Sequence, residues 1–232
     1  MKLTVAPHEE WIAHDLRVTN AILEDSHLHL KSGRHSDVYI DCDRLFTDPW
    51  RMTKVYEYWM QDWFHGHSAS ERPEVVVAPA VGGVYLVGGF SQVLKEAGFN
   101  RVRIAWADKI DSGFVLERAG FATAVRGRRV LVIEDVITTG GSTQCTIDAV
   151  REAGGEVIGV ACIVNRTRDV TAETFGVSAL HVCLQLDVMS YGMDICPMCR
   201  EGRPMVLNLA HGPKFLEIFA DYPTTEVDLD AA

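Results

Sequence analysis

The chain has 232 residues, of which 47% are hydrophobic and 23% are charged, and this composition is ordinary for a globular α/β protein. Its formal net charge of −10 argues against a general nucleic-acid-binding protein, which needs a basic face, but does not exclude small anionic substrates held by local amides and cations. No apolar run approaches the roughly 18–20 residues of a membrane helix, and the first residues contain no apolar segment typical of a signal peptide.

The N-terminal part of the chain predicts one amphipathic helix followed by short strands. Apolar residues recur with helical spacing over about His8–Glu24. Two β-like segments follow, at Leu28–Lys31 and Val38–Asp41. Asp48 and Pro49 are then typical of the start of a second helix.

From Pro73 onward, short apolar runs alternate with helical segments. Buried strands are predicted at Val75–Ala78, Val102–Ala105, Val130–Ile133, Val157–Val164 and Ala179–Leu186. Helices are predicted after the first of these strands, up to about Ala97, and over Ser142–Ala153. The alternation predicts an α/β fold with a mostly parallel sheet flanked by helices. Ligands of such sheets bind beyond the carboxyl ends of the strands, where the loops after the first, third and fourth strands fall.

The third of these strands leads into the most informative stretch of the chain, Val130–Gly141, which reads VLVIEDVITTGG. Glu134 and Asp135 stand where the strand is expected to end, and a polar, glycine-rich turn then opens a helix. Glycines let a phosphate approach the backbone, and the helix directs its free N–H groups and its positive dipole end at the anion. Carboxylates beside such a turn suit a ribose 5-phosphate. The alternative is an ordinary strand–turn–helix whose acids only cap the helix.

The same stretch resembles the phosphoribosyl-pyrophosphate (PRPP) motif of the type I phosphoribosyltransferases. The resemblance implies that fold, with a small N-terminal hood region, and two acids that contact the ribose hydroxyls ahead of a loop that holds the 5-phosphate. The PRPP-binding residues implied here are Glu134, Asp135, Val136, Ile137, Thr138, Thr139, Gly140, Gly141 and Ser142. Neither a Walker A loop nor a G-x-G-x-x-G fingerprint is found at this turn.

A second glycine-containing turn follows the first buried strand. It is similar to the family's pyrophosphate-binding loop, which adds Ala80, Val81, Gly82 and Gly83 to the implied PRPP-binding residues. On its own, a glycine pair at a strand–helix junction is more often only a turn.

The segment Lys31–Ser36 resembles the K-S-G-R-x-S segment of the orotate branch of this family, except that Asp37 stands where proline is more common. The resemblance implies that Lys31 contacts both PRPP and the base, and that Thr138 and Arg166 also bind the base. A guanidinium such as that of Arg166 can grip a carboxylate with two hydrogen bonds. The alternatives are solvated charges on a hairpin for Lys31 and a surface arginine for Arg166, with Arg168 as a nearby competitor.

The family also carries a mobile, cation-rich loop that closes on pyrophosphate, and residues 106–113 occupy its place. Lys109 is the clear cation of this loop, with Arg118 just beyond it as a second one. Asp108 stands where arginine is often found, and the loop has no histidine, so its catalytic strength is in question.

The resemblance implies transfer of 5-phosphoribosyl from PRPP to orotate, giving orotidine 5-phosphate and pyrophosphate in pyrimidine biosynthesis. Lys109, Glu134 and Asp135 are the implied catalytic residues. Mg²⁺ is the implied cofactor, carried by PRPP, and no protein ligand to a metal is assigned. The alternatives are another acceptor base or a PRPP-sensing regulator without turnover.

A homodimer is implied as well, and the aromatic stretch Val55–Phe64 is a candidate for its interface. The expected division of the chain has three segments within one compact whole. They are an N-terminal helix and hood region (1–70), a phosphoribosyltransferase core (71–190) and a C-terminal extension (191–232).

Six cysteines are scattered along the chain, at Cys42, Cys145, Cys162, Cys183, Cys196 and Cys199. In the absence of a secretion signal they predict a reduced, cytoplasmic protein. The last two form a C-x-x-C without a second pair, whereas a structural zinc site needs four N or S ligands. His211 or Cys183 could complete such a site, but nothing in the spacing requires it, so metal binding is left open.

Overall fold

The structure is a computed structural model that describes residues 3–30, 32–65, 67–111, 113–118 and 120–230. Within these ranges, no helix is both long and apolar enough to cross a membrane. The chain divides into two compact units. We call Met1–Leu45 together with Leu186–Ala232 the terminal unit, and Phe46–Gln185 the sheet unit.

Helices and strands alternate along most of the described chain. In chain order, the helices are α1 (Glu10–Val18), α2 (Cys42–Phe46), α3 (Pro49–Met60), α4 (Gly82–Glu96), α5 (Phe121–Val125), α6 (Gly141–Glu152), α7 (Ala172–Phe175), α8 (Pro197–Arg200) and α9 (Gly212–Leu216). The strands are β1 (Ile22–Leu23), β2 (Leu28–His29), β3 (His35–Ser36), β4 (Tyr39–Ile40), β5 (Val75–Pro79), β6 (Arg103–Ile110), β7 (Gly113–Val115), β8 (Arg129–Ile137), β9 (Glu156–Asn165), β10 (Ala179–Gln185), β11 (Met205–Val206) and β12 (Thr224–Thr225).

The sheet unit is built on a six-stranded sheet in the order β10-β9-β8-β5-β6-β7. All neighbours in this sheet are parallel except β6 and β7, which form an antiparallel hairpin. Central strands are continuous apolar runs because helices cover such a sheet on both faces, and all residues of β5 are buried. The predicted mostly parallel α/β sheet is confirmed.

One side of this sheet carries an aromatic core. Phe90 on α4 is fully buried, and its ring centroid lies 5.8 Å from that of Trp59 and 6.1 Å from that of Phe64. A side-chain carbon on Gly159 of β9 would lie 2.0 Å from the Trp63 ring, so only glycine lets the indole pack against the strand. Close packing of this kind is typical of a protein interior.

The aromatic stretch of α3 and the turn after it therefore belongs to the core of its own chain. Tyr56, Trp59, Trp63 and Phe64 are each at most 4% exposed. Side chains buried in this way have no surface left to offer a partner. These four side chains therefore do not form a subunit interface, and an interface through the other residues of Val55–Phe64 stays a prediction.

The first helix is shorter than predicted. It ends at Val18 rather than near Glu24, because Asn20 takes a left-handed backbone conformation with φ of 54° and turns the chain. Residues Ile22 and Leu23 then form β1, which pairs with β4. The second predicted helix begins where expected, since the Asp48 carboxylate accepts hydrogen bonds from the amides of Trp50 and Arg51.

The terminal unit consists of short elements drawn from both ends of the chain. Each of its strands that the structure describes has two residues. Backbone hydrogen bonds join the two chain segments: His35 and Tyr191 exchange two bonds of 2.8 Å, and the Val206 amide donates to the His27 carbonyl at 2.8 Å. Because of these bonds, residues 1–45 of the first expected segment share one unit with residues 186–232. Residues 46–70 belong to the sheet unit, so the boundaries lie at 45/46 and 185/186.

Candidate functional site

The two acids lie inside β8, close to its carboxyl end. The strand continues to Ile137, beyond the apolar run that predicted it, because Val136 and Ile137 still pair with Val164 and Asn165 of β9. The expectation that the strand ends before the acids is therefore wrong. Pairing with β9 holds the backbone of both acids in place.

Glu134 and Asp135 differ in their surroundings. Glu134 is 6% exposed, and its burial, followed by the neighbouring Asp135, raises the pKa of its carboxyl well above the ordinary value. The Thr143 hydroxyl of α6 donates to Glu134 Oε2 at 3.2 Å. Asp135 is half-buried, and its Oδ1 accepts a 2.7 Å bond from the Val136 amide.

The turn after β8 exposes the start of α6. Thr138 and Thr139 are exposed, and Gly140 takes the left-handed conformation with φ of 77° at the helix N-cap. A side-chain carbon at Gly140 would lie 2.9 Å from the Phe175 ring, so glycine is required for space as well as for conformation. No side-chain hydrogen bond caps this helix among the described residues, so the first amides of α6 are available to an anion.

The turn after β5 exposes a second helix start at the same edge of the sheet. β5 and β8 are parallel neighbours, so their carboxyl ends lie side by side. The Ala80 amide donates to the Ala107 carbonyl at 2.8 Å, and the peptide bond between Ala80 and Val81 is cis. A side-chain carbon at Gly83 would lie 2.5 Å from the Ala78 side chain, so this glycine brings α4 close to β5. In the described structure, no side-chain hydrogen bond caps α4 either.

Lys109 lies in the hairpin of β6 and β7, paired with Phe114, and its side chain is exposed. Most of the predicted loop 106–113 is therefore strand, since its backbone groups pair across the hairpin. A side-chain carbon at Gly113 would lie 3.9 Å from the Cys145 sulfur, so β7 runs beside α6.

The cation beyond that loop, Arg118, is paired with an acid of the same hairpin. Its guanidinium donates to both carboxylate oxygens of Asp108, at 2.7 Å and 3.0 Å, and lies 5.2 Å from the centre of the Trp106 ring. The bond from Arg118 lowers the pKa of Asp108. In this arrangement the positive charge of Arg118 is neutralised.

Arg166 follows β9 directly, beside the end of β8. Its amide donates to the Ile137 carbonyl at 2.9 Å, which holds the two strand ends together. The buried Asn165 supports the same loop through a 3.0 Å bond to the Val170 carbonyl. Arg166 is half-buried at the end of β9, whereas Arg168 is exposed two residues further along the loop.

The segment 31–36 belongs to the terminal unit. Lys31 lies outside the residues that the structure describes, and its predicted contacts stay a prediction. The Arg34 guanidinium donates to the Ser190 hydroxyl at 2.8 Å. The buried Ser36 hydroxyl donates to the Met189 carbonyl at 3.3 Å.

Sequence reasoning missed one group of side chains. The ligand atoms of His27, His35, Cys196 and Cys199 all lie within 4.8 Å of one another. The two histidines, and neither His211 nor Cys183, join the C-x-x-C pair. Burial lowers the pKa of His35 to about 4 and raises the pKa of the Cys199 thiol to about 11. The signal available in the sequence was the three histidines within nine residues, at 27, 29 and 35.

A cavity of about 740 Å³ lies at the opposite edge of the sheet. It is lined by Phe64, Arg72, Pro73, Glu74, Gly98, Phe99, Asn100, Arg101, Val102, Arg103 and Arg128. These residues surround the amino ends of β5, β6 and β8. Since ligands of parallel sheets bind at the carboxyl ends, the acids and uncapped helices mark the candidate active site, and this cavity does not.

Comparison with known proteins agrees with this architecture. The phosphoribosyl transferase domain model matches residues 56–192. The orotate phosphoribosyltransferase of Caldanaerobacter subterraneus subsp. tengcongensis is 37% identical over 185 residues, which cover 80% of this chain and 89% of that protein. The orotate phosphoribosyltransferase of Chlorobium phaeobacteroides is 36% identical over 189 residues, which cover 82% of this chain and 89% of the relative.

Solved structures share the fold. The orotate phosphoribosyltransferase of Aeropyrum pernix aligns with a TM-score of 0.56 at 24% identity, over 75% of this chain and 93% of that one. The Mycobacterium tuberculosis enzyme in complex with PRPP aligns with a TM-score of 0.53 at 24% identity, over 77% of this chain and 96% of that one. The predicted type I fold is thus confirmed. The chain belongs to the phosphoribosyltransferase family, and its curated relatives over most of its length are orotate phosphoribosyltransferases.

Proposed function

We propose that this chain is an orotate phosphoribosyltransferase that transfers 5-phosphoribosyl from PRPP to orotate and releases orotidine 5-phosphate and pyrophosphate. One observation carries the proposal. The acids of β8 and the uncapped starts of α6 and α4 lie at one edge of the sheet, in a chain whose relatives bear that name.

The turn at Thr138–Ser142 would bind the 5-phosphate. Exposed amides at the start of α6 donate hydrogen bonds to an anion, and the helix dipole adds a favourable field. The hydroxyls of Thr138, Thr139 and Ser142 supply further donors. Gly140 supports this role, because any side chain would meet the Phe175 ring and move the turn.

The two acids would hold the ribose. Departure of pyrophosphate leaves positive charge on the anomeric carbon, which a fixed carboxylate beside the sugar stabilises. Burial raises the pKa of Glu134, which favours the neutral form of this carboxyl in the free protein. Asp135, half-buried near the carboxyl end of β8, is the more accessible of the two acids and would contact the sugar.

The departing pyrophosphate would be bound by the turn after β5 and by the hairpin of β6 and β7. The amides of Ala80–Gly83 begin α4, and Lys109 is exposed on the hairpin that runs beside α6. Amides and an ammonium that are already in place stabilise charge on a leaving group without reorganisation. Because Asp108 neutralises Arg118, we assign the mobile positive charge to Lys109 alone.

Mg²⁺ fits this edge of the sheet, because carboxylate oxygens are the hard ligands that it prefers. Asp135 would hold it together with oxygen atoms of PRPP. Bound there, the ion would supply neutralisation of the pyrophosphate charge.

The acceptor base would be held by Arg166 and Thr138. A guanidinium recognises the orotate carboxylate in the plane of its two oxygens. Orotate attacks through its own ring nitrogen, so no catalytic triad is required. The implied homodimer and cytoplasmic location stay predictions, and light scattering of the purified protein checks the first of these.

A spectrophotometric assay of orotate loss with PRPP and Mg²⁺ tests the function. We expect turnover with orotate and none with uracil or hypoxanthine. Asp135→Asn should lower turnover by about 10²–10³-fold, the scale found when one electrostatic contact to a transition state is removed. Asp148→Asn is the matched control, since Asp148 is exposed on α6 and bonds only to Gln144 in the described contacts.

Two outcomes would contradict the proposal. Turnover with uracil or hypoxanthine but not orotate would reject the acceptor base. Calorimetric binding of PRPP without any product would indicate a PRPP-sensing regulator instead.

A further inference from the structure

Four side chains of the terminal unit point their ligand atoms at a common centre. His27 Nε2 lies 3.0 Å from His35 Nδ1, and Cys199 Sγ lies 3.2 Å from the same His35 atom. Cys199 Sγ and Cys196 Sγ lie 3.6 Å and 3.8 Å from His27 Nε2. Two of these ligands come from the N-terminal segment and two from the C-terminal segment.

These distances agree with tetrahedral coordination. With ordinary zinc bond lengths, tetrahedral geometry places neighbouring ligand atoms about 3.3–3.8 Å apart. Four of the six pairs of ligand atoms are 3.0–3.8 Å apart, and all six pairs lie within 4.8 Å. A small cation therefore fits at the centre with little movement of the side chains.

Hydrogen bonds outside the cluster orient His27 for this purpose. Its Nδ1 lies 2.8 Å from the Arg203 carbonyl, which can only accept, so Nδ1 carries the proton. Nε2 of the neutral ring then presents a lone pair to His35 and to both sulfurs. A carbonyl partner on the far ring nitrogen is the usual support of a metal-binding histidine.

Burial makes the arrangement costly unless a cation is bound. His27, His35 and Cys196 are at most 1% exposed, and Cys199 is half-buried. Several electron-pair donors brought together away from water repel one another, and buried polar groups without strong partners are destabilising.

The ligand set identifies the metal and its role. Two thiolates and two imidazoles in a tetrahedron are typical of structural zinc, whereas a catalytic zinc keeps an open position for water. The rings of Phe215 and Tyr222 pack against the histidines and shield the centre. We propose that His27, His35, Cys196 and Cys199 bind one structural zinc ion that joins the two chain segments of the terminal unit.

Metal analysis of the full-length protein tests this site, with an untagged chain purified from zinc-supplemented culture so that no tag contributes metal. We expect about one zinc ion per chain. Cys199→Ser and His27→Gln should lower the zinc content about tenfold or more. The matched controls Cys145→Ser and His14→Gln change a half-buried cysteine and an exposed histidine outside the cluster, and should retain the zinc.

Cobalt provides a readout that does not depend on the variants folding. Wild-type protein stripped of zinc and mixed with Co²⁺ should develop the visible bands of tetrahedral Co²⁺ and a sulfur-to-cobalt charge-transfer band, and Zn²⁺ should abolish both. Wild-type protein without zinc and without these bands would overturn the proposal. Equal metal loss in the ligand variants and their controls would also overturn it.

Discussion

The two units of the chain are stabilised in different ways. The sheet unit buries continuous apolar strands, such as β5, between layers of helices. The described strands of the terminal unit are only two residues long, and a ring of histidine and cysteine side chains lies in its interior. Apolar burial alone can support the first unit, whereas small units with little regular structure commonly need a metal or another cross-link.

Buried polar side chains are found at the proposed site of each unit. In the sheet unit they surround the candidate active site, and in the terminal unit they include the two histidines of the proposed zinc site. The buried polar residues are Glu134, Thr143, Thr146 and Asn165 in the sheet unit, and Glu9, Asp15, Ser26, His27, His35 and Ser36 in the terminal unit. Buried polar groups therefore indicate function in one unit and metal-dependent folding in the other.

Removal of zinc should have the largest effect on stability, and it should destabilise the terminal unit but not the sheet unit. Structural zinc contributes binding free energy on the order of 10 kcal/mol, comparable to the whole stability of a domain. After treatment with EDTA, we expect the amides of His35 and Val206, which bond across the two terminal segments, to lose protection in hydrogen exchange. Val132 and Val160 in the sheet should keep theirs. Equal loss in both units would contradict the comparison.

Truncation of a side chain in the aromatic core tests whether apolar burial stabilises the sheet unit. Phe90→Ala removes a fully buried ring from contact with Trp59 and Phe64 and should lower the free energy of unfolding by about 3–5 kcal/mol. Trp50→Ala is the matched control, because this side chain is 75% exposed and should change stability by less than about 0.5 kcal/mol. Urea unfolding of the zinc-loaded proteins measures both. Similar values for the two variants would contradict an apolar origin of stability.

The pH dependence of stability tests the polar part of the sheet unit. Since folding raises the pKa of Glu134, its carboxyl contributes fully below the unfolded pKa and loses that contribution as pH rises toward the folded pKa. Wild-type stability should therefore fall relative to Glu134→Gln above about pH 4.3, by up to about 1.4 kcal/mol per pH unit. Urea unfolding of the free protein over a pH series measures the difference. Glu173→Gln, on the exposed part of α7, is the control, and parallel curves for Glu134→Gln and wild type would contradict the assignment.

The smallest effect is expected at a helix cap. Asp48→Ala removes the carboxylate that accepts from the first amides of α3 and should cost about 1 kcal/mol in urea unfolding. Asp48→Asn keeps a capping oxygen and should cost clearly less. An equal cost for the Ala and Asn variants would show that Asp48 acts otherwise, for example through Arg51.

Much of the sheet unit could be predicted from the sequence because its signals are local. Four-residue apolar runs indicate buried strands, and Gly140 supplies the left-handed backbone conformation of the turn before α6. The extension of β8 through Glu134 and Asp135 could not be predicted in this way. It depends on pairing with β9, which the hydrophobic pattern of β8 does not contain. The hairpin at Lys109 was missed for the same reason.

The proposed zinc site was even harder to predict, because it depends on contacts between segments that are far apart in the sequence. Cys196 and Cys199 are adjacent in space because they are near in sequence, so their pattern was visible. His27 and His35 reach them only through the fold, and no spacing rule connects the two segments. His35 also lies within the segment that resembles the orotate branch, where it stands at the variable position of K-S-G-R-x-S.

The order of the ligands along the chain has a consequence for synthesis on the ribosome. His35 emerges roughly 160 residues before Cys196, which at about 5–20 residues per second is a delay on the order of ten seconds. During that time the whole sheet unit is synthesised, while His27 and His35 still lack Cys196 and Cys199, with which they share the proposed zinc site. We therefore expect the nascent chain to fold its middle first, and to assemble the terminal unit only as translation finishes.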